Sequence, residues 1–296
     1  MTKPRLKTLA CTGFALTAFA ANSILCRLAL GGRTMDAASF STVRLAAGAI
    51  TLLLITTSLR HRTIATTSRK TTRRKWVSAI LLFLYAIAFS FAYISLSAGT
   101  GALILFGSVQ TTMLAAALHS GERPHPLEWS GLLVALAGLV CLVFPGLTAP
   151  SPASSLLMII AGISWGFYTL RGRGVADPLA DTTSNFVRAL PLAVVVSLIT
   201  FRQLHLSPGG LGLAVLSGAL ASGVGYVVWY AALRELTATR AATVQLAVPV
   251  LTAAGGILLL SEDMSLRLLL AAIMILGGVG LALLGRRADV AQAREF

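Results

Sequence analysis

Residues 153–171 read ASSLLMIIAGISWGFYTLR, nineteen residues without a charge until the closing Arg171. At 1.5 Å per residue a helix of this length covers about 30 Å, the thickness of a bilayer's hydrocarbon core. The block cannot be a solvated helix, because it has no polar face. It also differs from an ordinary lipid anchor. Ser164-Trp165-Gly166-Phe167-Tyr168 sits near its middle, where aromatic residues with polar atoms are out of place. Trp and Tyr favour the two interfaces of a membrane. A Trp at mid-depth needs a partner for its indole N–H. The segment therefore reads as a membrane helix with one side turned to protein or to a polar cavity.

Similar blocks fill the chain. Of 296 residues 56% are hydrophobic and 11% charged, and the mean hydropathy is +0.83. A surface with so few charges does not stay dissolved. Ten spans are expected, over 7–30, 37–59, 76–97, 100–119, 127–145, 153–171, 181–201, 209–231, 239–260 and 266–285. A spanning segment must satisfy its own backbone, so the spans are helices. The breaks between them carry turn residues: Gly31-Gly32, Ala98-Gly99, Pro124-His125-Pro126, Pro150-Ser151-Pro152 and Pro208-Gly209-Gly210. The first block is too long for a cleavable leader and reads as a span. Cys11, Cys26 and Cys141 lie inside apolar blocks, without metal spacing, and read as small buried hydrophobes.

The net charge of +14 does not indicate nucleic acid. With the N-terminus inside, 18 Lys and Arg fall in inner segments and 3 in outer loops. This bias predicts that both termini are cytoplasmic; the expected location is a bacterial-type inner membrane. The run from Arg60 to Lys75 is mainly that topology signal, with an anionic-lipid site as the sharper alternative.

The two halves match in order. Phe19 through Arg27 aligns with Trp165 through Arg173, Val43-Arg44-Leu45 with Val187-Arg188-Ala189, Tyr93 with Tyr230, Gly121-Glu122 with Ser261-Glu262, and Ala137-Gly138 with Gly277-Gly278. Five spans per half turn the second copy over. The expected fold is thus an all-α polytopic membrane protein: two inverted five-helix repeats, residues 1–148 and 149–296, around a central cavity. The chain resembles the EamA-type branch of the drug/metabolite transporter superfamily. Arg44 and Arg188, the two small-residue-Glu pairs and Trp165-Gly166 carry the likeness, which looks nearest to YddG-like amino-acid exporters. The resemblance implies transport of a small molecule. One departure is Val109, where repeat two has Pro249 and the family often has proline.

Spans five and ten have almost no interior polar groups and are expected at the periphery. Their glycines suit close packing, within the chain or at a dimer face; a monomer is expected, with a homodimer as the alternative. The candidate substrate residues are Trp165, Tyr168, Asn22, Ser23, Tyr85, Gln110, Tyr226 and Gln245. Ordinary helix packing is the competing role for each. Trp229 and Tyr230 read as interfacial anchors. Pro249 frees the Gln245 carbonyl in a helix interior. Arg44 and Arg188, about 12 Å deep, are expected to snorkel and act structurally or in gating, the alternative being a charge that draws carboxylates. No span interior holds Asp or Glu. Coupling to protons or sodium is therefore not expected, and facilitated diffusion or exchange is. No nucleotide-binding or hydrolase motif is present, so no enzyme activity and no cofactor are expected. The partners are a small-molecule substrate and membrane lipid, with amino acids as the favoured cargo over drugs or nucleosides. A channel is the rival class.

Overall fold

The computed structural model describes residues 3–60, 72–119, 126–144, 149–172, 175–233, 244–245 and 247–292. Ten helices account for most of them: α1 Lys3–Gly31, α2 Ala37–Arg60, α3 Thr72–Ala92, α4 Ala98–His119, α5 Pro126–Val143, α6 Pro152–Gly172, α7 Pro178–Ile199, α8 Pro208–Leu233, α9 Ala247–Leu260 and α10 Leu266–Gln292. Five of them (α1, α2, α6, α7 and α8) are by themselves long and apolar enough to cross a membrane. Leu54, Leu133, Leu156, Leu198, Leu258 and Ile273 stand exposed around the outside. An apolar surface of that extent suits lipid. The basic connection 61–71, together with Glu122 and Arg173, lies outside the described residues.

Local chemistry sets the boundaries. Asp177 accepts from Ala180 N and precedes Pro178 at the start of α7, so that helix begins earlier than 181. Ser207 does the same for α8, accepting from Gly210 N. The third helix stops at Ala92, short of the expected 97. Residues 93–97 form a turn, and Ser97 caps α4 by accepting from Thr100 N at 3.2 Å. At the end of α1 the glycines are not the stop. Arg33 takes the left-handed conformation, φ 51°. Thr34 N then bonds the Ala29 carbonyl and Arg33 N the Leu30 carbonyl, a Schellman closure. Gly31 has a different task. A Cβ there would lie 2.6 Å from the Arg27 guanidinium, so the glycine makes room for that side chain. α4 runs unbroken through Val109.

Packing between the halves survives exchange of one half for the other. α1 packs on α8 and α9, and α6 packs on α3 and α4. α2 packs on α8 as α7 packs on α3, while α2–α7, α4–α9 and α5–α10 pair with their own counterparts. Hydroxyl pairs stitch α2 to α7: Thr42 with Ser197 at 2.8 Å and Thr56 with Thr183 at 3.1 Å. α5 and α10 pack mainly on each other, with α4 behind them. Two of their glycines, Gly138 and Gly278, are spent inside the chain, while Gly277 and Gly280 face open space. A Cβ on Gly138 would sit 2.7 Å from Met274 Cβ, and one on Gly278 2.5 Å from the Gly131 carbonyl oxygen. Gly278→Val is expected to cost about 2–3 kcal/mol of stability through overpacking while leaving substrate affinity unchanged. Thermal unfolding and ligand titration on one purified sample check both halves of that statement.

Candidate functional site

Near the middle of the bundle, α1, α2, α3 and α8 contribute one polar network. Ser217 Oγ donates to Asn22 Oδ1 at 2.6 Å, and Asn22 Nδ2 donates to the Tyr85 hydroxyl at 3.2 Å. Arg44 reaches the same hydroxyl through Nη2 at 3.2 Å. It also donates from Nη2 to Tyr226 at 3.4 Å and from Nε to Ser222 at 3.1 Å. Its guanidinium carbon lies 5.2 Å from the Tyr85 ring centre and 5.1 Å from that of Phe89, in cation–π range. Arg44 is 1% exposed, so the expected snorkelling does not occur. Depth along a straight span misled here, because rings from α3 and α8 close over the side chain before it can reach an interface.

The α8 backbone explains how both serines face inward. Residues Ser217–Val224 form a π-helical stretch, wider than the α-helix on either side. Such stretches recur at functional sites. Gly218 lies directly against the Arg44 main chain, whose Cα would be 2.9 Å from a Cβ at 218. Gly218→Ala is expected to destabilise the fold by about 3 kcal/mol and to disturb the Arg44 contacts. Comparing its melting temperature with that of Gly212→Ala, where the added Cβ meets nothing within 4 Å, checks this.

An aromatic cluster adjoins the network. Trp165 is its centre, with ring centroids 4.8 Å from Tyr226, 4.9 Å from Tyr85, 5.6 Å from Tyr168 and 5.9 Å from Phe19. Phe19, Asn22, Ser23, Tyr85, Phe89 and Trp165 help line a central space of about 10 Å³, room for about one water. A larger cleft of about 280 Å³ opens at the end of the bundle where α1 finishes, lined by residues including Arg33, Asp36, Phe91 and His205. None of the candidate residues lines that cleft. Its acid is already engaged: Asp36 accepts from Ser39 N at 2.9 Å and His205 N at 3.2 Å.

A clasp closes the same end. Arg27 Nε pairs with Glu262 Oε1 at 3.2 Å, and Arg27 Nη1 donates to the carbonyls of Tyr93 and Ile94. Both Glu262 oxygens accept from Ala98 N, at 2.9 and 2.8 Å, so the carboxylate sits on the positive end of α4. Ser261, φ 53°, turns the chain to deliver it. Residues from both halves of the chain meet in this one contact, α1 and the start of α4 from the first and the α9–α10 connection from the second.

Residues 153–284 match the EamA-like transporter family. An uncharacterized protein of Pseudomonas aeruginosa is 50% identical over 288 residues, 96% of this chain and 98% of that protein. The chain belongs to the EamA-like transporter family. It is a multi-pass membrane transporter and not an enzyme. A protein named as a probable amino-acid metabolite efflux pump, from Escherichia coli strain K12, is 24% identical over 234 residues, 70% of this chain and 77% of that one. A solved crystal structure superposes with a TM-score of 0.68 over 94% of this chain and 97% of that one; at 18% identity it speaks to fold alone.

In this EamA-like transporter the other candidate residues divide. Tyr168 is buried and accepts from Asn185 Nδ2 at 3.4 Å. It lines a second small space with Ser78, Asp181 and Tyr230, toward the opposite end of the bundle. Gln110 on α4 and Gln245 before α9 are buried, yet neither lines the central space. Pro249 is buried in the first turn of α9 as described, where a missing N–H costs little. The junction at residue 246 lies outside the described residues. Arg188 stays half-buried and bonds its own helix through the Ser184 carbonyl and hydroxyl. Trp229 and Tyr230 are buried and not interfacial: Trp229 packs edge-on against Phe19 at 5.7 Å. Sequence reasoning missed Ser217, Phe19 and Phe89. Phe19 was within reach, since it lies three residues before Asn22 on the same face.

Proposed function

We propose that the chain exports amino acids across an inner membrane, with both termini cytoplasmic, by alternating access between two inverted repeats, 1–148 and 149–296. The observation that carries this reading is the meeting of Asn22, Tyr85, Trp165 and Tyr226, from both halves, at one central point. Carriers of inverted-repeat design bind their cargo at such a midplane junction. The exchangeable packing of the halves supports the repeats, and the efflux name of the Escherichia coli relative supports the cargo class. The water-sized centre fits an occluded form, with the Arg27–Glu262 clasp as the shut outer gate. The central network contains no carboxylate, which supports facilitated diffusion or exchange over ion coupling.

Counterflow in proteoliposomes tests the reading. Vesicles preloaded with unlabelled threonine, methionine, phenylalanine or tryptophan should transiently accumulate the labelled compound. Trp165→Ala should abolish the overshoot. Uptake without saturation or overshoot would mean a channel. No uptake of any of the four would send the cargo assignment to nucleosides or drugs.

A further inference from the structure

Arg44 is a buried cation without an anion. Among the described residues the one ion pair is Arg27–Glu262, and Arg44 is held only by neutral partners: three hydroxyls and two aromatic faces. Its Nη1 is buried and makes no hydrogen bond. A guanidinium offers five N–H donors in a planar fork suited to a carboxylate. Leaving two of them unmet, on an uncompensated charge away from water, is among the costlier arrangements a fold can hold. A purely structural arginine would have been given an acid, as Arg27 has in Glu262, or left partly exposed, as Arg188 is. The surrounding chemistry is that of a receptor. The π-helical turn of α8 supplies Ser222, Phe89 and Tyr85 supply flat apolar walls, and the Tyr85 hydroxyl links Arg44 through Asn22 to the central space.

We propose that Arg44 is the carboxylate-binding group of the transport site, and that the cargo is recognised as a compact organic monocarboxylate, its ammonium group unread by any acidic side chain. This rests on the transporter reading and deepens it. Arg44 places one uncompensated positive charge behind Tyr85, beside the central space, and a bound monocarboxylate would neutralise it. An amino acid and its deaminated acid should then bind alike, while the amide should not. Arg44 fills this role in the first repeat alone, because Arg188 is only half-buried and turns its Nη1 back onto Ser184 of its own helix.

The test uses the purified full chain and three probes per side chain: phenylalanine, phenylalaninamide and 3-phenylpropionate, then tryptophan, tryptophanamide and indole-3-propionate. Thermal stabilisation and competition in counterflow are both read. The two acids of each set should agree within tenfold and exceed the amide by about 30-fold, the discrimination expected of a charged hydrogen bond. Arg44→Gln should lose the preference for acid over amide. It should melt at or above the wild-type temperature, because the substitution removes an unpaired charge; a structural arginine would give the opposite shift. If that variant fails to fold, Arg44→Lys decides. It should keep the preference with affinity weakened about tenfold, since it keeps charge without the fork. Equal binding of acid and amide to the wild type, or an acid preference surviving in Arg44→Gln, would overturn the proposal. So would stabilisation by chloride alone matching that by the acids, which would make this an inorganic-anion site. If no amino acid shows counterflow but the deaminated acids stabilise the wild type and not Arg44→Gln, the amino-acid cargo fails and the carboxylate site stands.

Discussion

Glu262→Ala is expected to lower stability by about 3 kcal/mol and to loosen the end of the bundle where α1 finishes. The side chains of Arg27 and Glu262 are 24% and 14% exposed, so their pairing is neither fully dry nor freely solvated. Removing one partner of a buried pair costs about 3–5 kcal/mol, and partial exposure places this case at the lower end. The Ala98 N–H also loses its acceptor, a capping loss of about 1 kcal/mol. Glu262→Gln keeps an acceptor for Ala98 and should fall between the two. Cys26 gives the readout, because it is buried beside Arg27. In a Cys11→Ser, Cys141→Ser background, maleimide labelling of Cys26 should rise several-fold in Glu262→Ala. Unchanged protection would mean that the clasp does not hold this end shut.

Trp165→Ala should be costlier still, about 3–5 kcal/mol, with loss of counterflow. Four aromatic rings rest on Trp165 within 5.9 Å, and the small central space gives them nowhere to collapse without disturbing Tyr85 and Tyr226. Trp165→Phe retains part of the ring area and should recover most of the stability. If the phenylalanine variant is stable yet still fails in counterflow, the indole itself touches the cargo. If both variants transport at the wild-type rate once folded, Trp165 only packs.

Helix existence was plain in the sequence, because continuous apolar blocks of span length have no other soluble or membrane solution. Helix ends were less plain. The α4 start is set by Ser97 accepting from Thr100 N, and the Arg33 turn by Thr34 N closing on the Ala29 carbonyl. The gathering of Asn22, Tyr85, Trp165 and Tyr226 was legible because polar groups in lipid must face protein. Arg44 was not, since its fate is decided by rings on other helices and by a π turn in α8 that no local propensity announces. Trp229 and Tyr230 failed for a related reason. Their place near a span end suggested an interface, but Phe19 and Gly172 hold them inside. The alignment of the halves found Glu262 without revealing its partner, because Arg27 is 235 residues away in the chain.

α5 and α10, locked by Gly138 against Met274 and by Gly278 against Gly131, contribute no residue to the network, the aromatic cluster or the clasp. If the halves alternate as proposed, this pair would stand as a fixed post beside the parts that move. A label, a fused domain or a binding protein fixed to this pair would report on or immobilise the carrier without slowing it.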